Sequence, residues 1–129
     1  MGNSGLVAAI AAGGALGAVS RHFVGGWVLH RLGADFPYGI LFCNVLGSLL
    51  MGILVAFVIE YHGFGGAVRG FLIVGLLGGF TTFSSFSLDT LVLLQRGEVG
   101  SALLYVGASV LVAIGACLAG YHGMRALLP

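Results

Sequence analysis

The sequence predicts an all-α integral membrane protein with four transmembrane helices per chain, the third of them broken, assembling as a dual-topology antiparallel homodimer. Three observations carry the four-span architecture; the assembly rests on charge placement and chain size. Hydrophobic residues make up 59% of the 129 and charged residues only 7%, with a mean hydropathy of +1.12, far outside the range of soluble domains. Four apolar runs, 6–28, 38–59, 68–94 and 99–120, are each long enough to cross a bilayer. Glycines, hydroxyls and phenylalanines interrupt the third run near 78–82. The connectors are short, so 1–129 reads as one four-helix membrane domain without a nucleotide-binding motif or a basic nucleic-acid surface.

The first run resembles a signal peptide in length, but its basic residues follow the apolar stretch and Arg21 lies inside its last third, so it is expected to be a retained helix. Arg21 is the one basic residue well inside a span. Such residues are costly in lipid and face an aqueous cavity or a partner; the alternatives are snorkelling to the interface or pairing with Asp35. In the second run Asn44 and Ser48 are one helical turn apart and share a face. An amide at that depth needs hydrogen-bond partners.

The third run carries the most information. As one straight helix, Val68 to Leu94 would be about 40 Å long against a hydrocarbon core of about 30 Å. Within it lies Gly78-Gly79-Phe80-Thr81-Thr82-Phe83-Ser84-Ser85-Phe86-Ser87. Non-helical backbone at membrane depth survives only where it is buried in protein or lines a polar cavity. The interruption therefore points to an ion or solute site. Phe83 and Phe86 are neighbours on one face if the segment is helical. That pattern is often core packing, but aromatic rings have a positive edge, and rings alternating with the hydroxyls of Ser84 and Ser85 suit a small, strongly hydrated anion. Asp89 falls near the end of this span, close to the water boundary. On the fourth run Ser101, Tyr105 and Ser109 repeat at four-residue intervals as a polar stripe, although single hydroxyls in membrane helices also bond back to the preceding turn or join neighbouring helices.

The chain has no lysine. Setting Arg21 aside, Arg69 and Arg125 lie on the side of the amino terminus and Arg31 and Arg96 on the other. The Lys/Arg excess that orients membrane proteins is therefore zero, so insertion both ways and antiparallel pairing are expected, which would rebuild an inverted repeat from one gene. Four helices are also too few to enclose a polar path. Small residues recur at helix-contact spacing as Gly13/Gly17, Ser48/Gly52, Gly75/Gly79 and Ala116/Gly120, most simply as packing within one chain. Cys43 and Cys117 lie within spans and read as packing residues. The four histidines have no ligand-like neighbours, and no catalytic constellation is present, so no enzyme activity is expected.

These residues closely resemble the Fluc/CrcB family of fluoride channels over essentially the whole chain. The resemblance rests on 13–21 in the first span, on 39–44 with Gly47 in the second, and on 78–87 with Asp89 in the third. His22 departs from the aromatic residue usual there, and Ile40 from a common threonine. The resemblance implies a fluoride-selective, passive channel of the cell inner (plasma) membrane. In it Asn44, Phe83, Phe86, Ser84, Ser85, Tyr105 and Ser109 would line two fluoride pathways of an antiparallel homodimer, and Arg21 would line the vestibule. The backbone carbonyls of Gly78 and Thr81 would hold a central structural sodium ion. The competing classes are a small multidrug-type exporter, which needs a membrane acid that the first span lacks, and a structural membrane oligomer, which leaves the third-span motif without a use.

Overall fold

The computed structural model describes residues 3–129 and is entirely helical among them. Helix α1 spans Asn3–Leu32 and α2 Tyr38–Glu60. The third span is composite: α3 (Gly66–Arg69) runs into a π-helical stretch, Gly70–Leu77, and then a short α-turn, α4 (Gly78–Phe80). After a break it resumes as α5 (Phe83–Gln95). Helix α6 spans Val99–Leu127. Four stretches are long and apolar enough to cross a membrane: α1, α2, the composite 66–95, and α6.

Local chemistry sets the helix ends. Gly33 (φ 89°) and Gly97 (φ 77°) adopt the left-handed conformation that lets a chain leave a helix while still capping its last carbonyls. The Gly33 N–H reaches the Leu29 carbonyl at 2.8 Å, and the Glu98 N–H reaches that of Leu93 at 2.9 Å. Pro37 stands directly before α2, where a missing N–H costs no helical bond. Helices α1 and α6 extend past the apolar runs, because a helix continues through polar residues that the bilayer does not require.

The glycine pairs do what their spacing predicts, within one chain. A Cβ on Gly13 would strike the Phe71 carbonyl, and one on Gly75 would lie 2.7 Å from that of Ile10, so α1 and the third span meet backbone to backbone. Gly52 and Gly120 do the same for α2 and α6, against the carbonyls of Cys117 and Leu49. Without lipid-excluding hydrophobic force, such close approach is how membrane helices gain packing energy. Gly47 opens space for the break itself, since a Cβ there would collide with the Thr81 methyl and the Phe80 ring.

Phe86, Leu93, Ala102 and Tyr105 form the buried cluster between α5 and α6, closed at one end by Phe36, whose ring meets Tyr105 edge-on at 5.6 Å. At the opposite end of the bundle Arg125 pairs with Glu60 at 2.6 Å, both side chains partly exposed. A pair in water contributes little, so Arg125→Ala is expected to change thermal stability in detergent by less than about 1 kcal/mol.

Candidate functional site

The break falls at Thr81 and Thr82, both extended (φ −89°, ψ 155° and φ −155°, ψ 128°). Gly78 to Phe80 remain helical, so the interruption expected near 78–82 is narrower than the sequence implied. An α-helix running through it would give the carbonyls of Gly78, Gly79, Phe80 and Thr81 to the N–H groups four residues on. Each loses that partner.

Polar groups from other helices replace some of these bonds. The Thr82 N–H turns to Asn44 Oδ1 at 2.7 Å, and Asn44 Nδ2 donates to the Thr82 carbonyl at 3.0 Å. One side-chain amide on α2 thus pairs with both backbone groups of one residue in the break. Arg21 Nε donates to the Gly79 carbonyl at 3.1 Å, and its Nη1 lies 3.5 Å from Ser85 Oγ. Asp35 is not its partner. Thr81 Oγ1 bonds back to the Leu77 carbonyl at 2.9 Å, and Thr82 caps α5 by accepting from the Ser85 N–H at 3.2 Å, the ordinary N-cap role of threonine. Among the described residues the carbonyls of Gly78, Phe80 and Thr81 receive no hydrogen bond across the break.

Beside the break lies a groove of about 430 Å³, lined by Asn44 and Ser48 of α2, Gly78, Thr81, Thr82, Phe83 and Phe86 of the third span, and α6 from Ser109 to Ile114. Phe83 is 77% exposed and Phe86 is buried, their rings 5.3 Å apart and inclined at 56°. The hydroxyl of Ser109 is buried with no hydrogen-bond partner among the described residues, although a buried polar group is nearly always satisfied. The α5 amino-terminal end, which carries a partial positive charge, also opens here, since Thr82 and Phe83 line the groove.

The site residues read from the sequence therefore divide. Asn44, Phe83, Phe86, Ser109, Gly78 and Thr81 share one groove. Ser84 and Ser85 lie beside it, tied to Thr82 Oγ1 at 3.3 Å each. Tyr105 is apart: it is fully buried, packs on Phe86 at 5.2 Å, and donates its hydroxyl to Asp89 Oδ2 at 3.0 Å. The even polar stripe expected on the fourth span is thus split, Ser109 facing the groove and Tyr105 the core. Cys43 is buried as expected, its thiol directed at the Arg21 carbonyl at 3.8 Å. Ser48 and Thr82 belong to the site although the sequence did not single them out as pathway residues. Their signals were present, Ser48 one turn after Asn44 and Thr82 directly before a helix start.

Four glycine-packed spans, a broken third helix and, beside the break, a largely apolar groove that carries Asn44 and several hydroxyls define an integral membrane protein with a site at membrane depth. More particularly, the chain belongs to the CrcB-like protein family (camphor resistance, CrcB), whose profile matches residues 8–121. It is 50% identical over 119 residues to the fluoride-specific ion channel FluC of Rhizobium meliloti, covering 92% of this chain and 95% of that one. It is 48% identical over 121 residues to the protein of the same name from Nitrobacter winogradskyi (94% and 96%). A third FluC, from Thermus thermophilus, is 50% identical over 113 residues, 88% of each chain.

Proposed function

We propose that this protein is a fluoride-selective channel that lets fluoride leave the cell passively through its inner membrane, along two pathways at the interface of an antiparallel homodimer. The observation that carries the reading is the groove itself. A Ser109 hydroxyl without a partner among the described residues, an exposed phenylalanine ring and a helix amino-terminal end converge in it; the hydroxyl can donate to an anion, and a ring edge and a helix amino-terminal end are electropositive. No basic side chain lines it, so an ion could be held without being trapped. The relatives' shared name, fluoride-specific ion channel, agrees. A half-open groove on one chain, with a large ring exposed beside it, fits a second copy completing the pathway, and the balanced arginines supply that copy in the opposite orientation. Tags on the two termini should therefore each be found on both sides of the membrane; a carboxyl terminus wholly on one side would remove the antiparallel dimer.

The break also fits a structural sodium ion. The carbonyls of Gly78 and Thr81, left without donors among the described residues, are hard oxygen ligands of the kind unwound membrane helices present to small cations. These two residues of each subunit would hold the ion, whose charge would offset the mutual repulsion of the carbonyls. Because the ligand is backbone, Thr81→Ala should keep sodium-dependent thermal stabilisation of the purified protein. Loss of that stabilisation would place the hydroxyl, now bonded to Leu77, among the ligands.

The pathway assignment is tested by Phe83→Ile and Phe86→Ile. Isoleucine keeps apolar bulk and removes the positive ring edge, so packing loss stays at about 1–3 kcal/mol and the assembly should survive. Fluoride efflux from liposomes should fall about tenfold or more, equivalent to about 1.4 kcal/mol on the barrier. Variants that conduct like the parent would make these rings core residues only.

A further inference from the structure

The break leaves four carbonyls without their helical donors, and among the described residues only one of them, that of Gly79, is taken by a side chain. Its donor is Arg21 Nε at 3.1 Å. The same guanidinium reaches past the break to Ser85 Oγ on α5, a longer contact at 3.5 Å, so one planar group touches the helix before the interruption and the helix after it. On either side of Gly79 the carbonyls of Gly78 and Phe80 remain free among the described residues. Arg21 is itself held in place. Its own carbonyl receives the Cys43 thiol, and α1 is locked to the third span one turn below, where a Cβ on Gly17 would lie 2.8 Å from the Phe80 nitrogen.

We infer that Arg21 is a positioning residue that fixes the conformation of the break through its Nε donor, by taking the Gly79 carbonyl and leaving those of Gly78, Phe80 and Thr81 without donors among the described residues, and that this donor rather than the arginine's charge sets anion selectivity. The inference rests on the fluoride-channel reading. Its physical basis is the fork of the guanidinium, which places donors at fixed angles that an ammonium cannot reproduce. A cation at the carbonyl end of the helix segment before the break is also favourable, but a charge alone acts there without choosing which carbonyl it occupies.

Two substitutions separate donor from charge. Counting along the side chain, glutamine carries an N–H donor at the position of arginine Nε and no charge. Lysine carries a methylene there and keeps the charge one atom further on. Arg21→Gln and Arg21→Lys are purified, their assembly compared with the parent by size exclusion, and fluoride and chloride efflux measured from liposomes at low and high ionic strength. The expected result is a fluoride-to-chloride ratio that falls about tenfold or more in Arg21→Lys, the scale of one lost charged hydrogen bond. In Arg21→Gln the absolute fluoride flux falls and loses part of its salt dependence, but the ratio stays near that of the parent. Failure of only the lysine variant to assemble would support the same reading. A lysine variant with the parent's ratio, a glutamine variant alone losing ratio or assembly, or equal behaviour of the two would overturn it. A parent that passes no fluoride would instead remove the channel reading on which the inference stands.

Discussion

Asn44→Asp is expected to abolish fluoride flux and to lower the stability of the assembled protein. In the parent the amide serves the break twice, accepting the Thr82 N–H and donating to the Thr82 carbonyl. A carboxylate can still accept the first. It has nothing to donate to the second, so two oxygens would face one another at 3.0 Å, and in this half-buried setting the repulsion and the unmatched acceptor together cost about 1–3 kcal/mol. The new negative charge would also stand in the groove proposed to carry an anion. Both effects act on the same barrier, and a loss of about a hundredfold or more in efflux follows from about 3 kcal/mol. Asn44→Gln, which keeps the groups but lengthens the arm, should lose less. Parent-like efflux in Asn44→Asp would mean that the amide neither shapes the break nor lines the path.

Gly17→Val should disrupt the fold outright. A Cβ at that position would strike the Leu76 carbonyl and approach the Phe80 nitrogen to 2.8 Å. All of these atoms are backbone on the facing span, so no rotamer change relieves the contact. Helix α1 would have to move away, carrying with it the Gly13–Gly75 approach and the Arg21 bond to Gly79. Overpacking of this kind costs about 3 kcal/mol, and the expected readout is loss of the monodisperse peak in detergent together with early thermal unfolding. Gly26→Ala is the matching control, because a Cβ there meets nothing within 4 Å. If Gly17→Val behaved like Gly26→Ala, the close backbone contact of α1 with the third span would be wrong.

What the sequence made legible was set by length, hydropathy and a few residues of special conformation. The four spans follow from apolar runs and the break from a run too long to cross a bilayer straight, whereas the capping at Gly33 and Gly97 and the stop at Pro37 were not read from the sequence. The π-helical stretch Gly70–Leu77 was not legible, because its residues are uniformly apolar and no periodicity distinguishes a wide turn from an ordinary one. Asn44 was recognisable as a group needing partners, but those partners lie 38 residues away, and only the packing of α2 against the break through Gly47 supplies them. The split between Tyr105 and Ser109 has a similar cause. Positions four apart share a face, yet they differ by one turn in height, about 6 Å, enough for one to meet the α5 core and the next to meet the groove. Thr82, the residue on which Asn44, Ser84 and Ser85 converge, stood inside the motif. Its importance comes from its extended backbone, which meets Asn44, together with a hydroxyl that caps α5.

The most direct measurement of the central claim is anion efflux from liposomes containing the purified protein, with fluoride and chloride compared under the same gradient and without a proton gradient. Rapid fluoride efflux is expected, with chloride efflux near that of protein-free liposomes, because the groove is lined by hydroxyls and the Phe83 and Phe86 rings and by no basic side chain. Equal efflux of the two anions, or transport only of organic cations in exchange for protons, would contradict it.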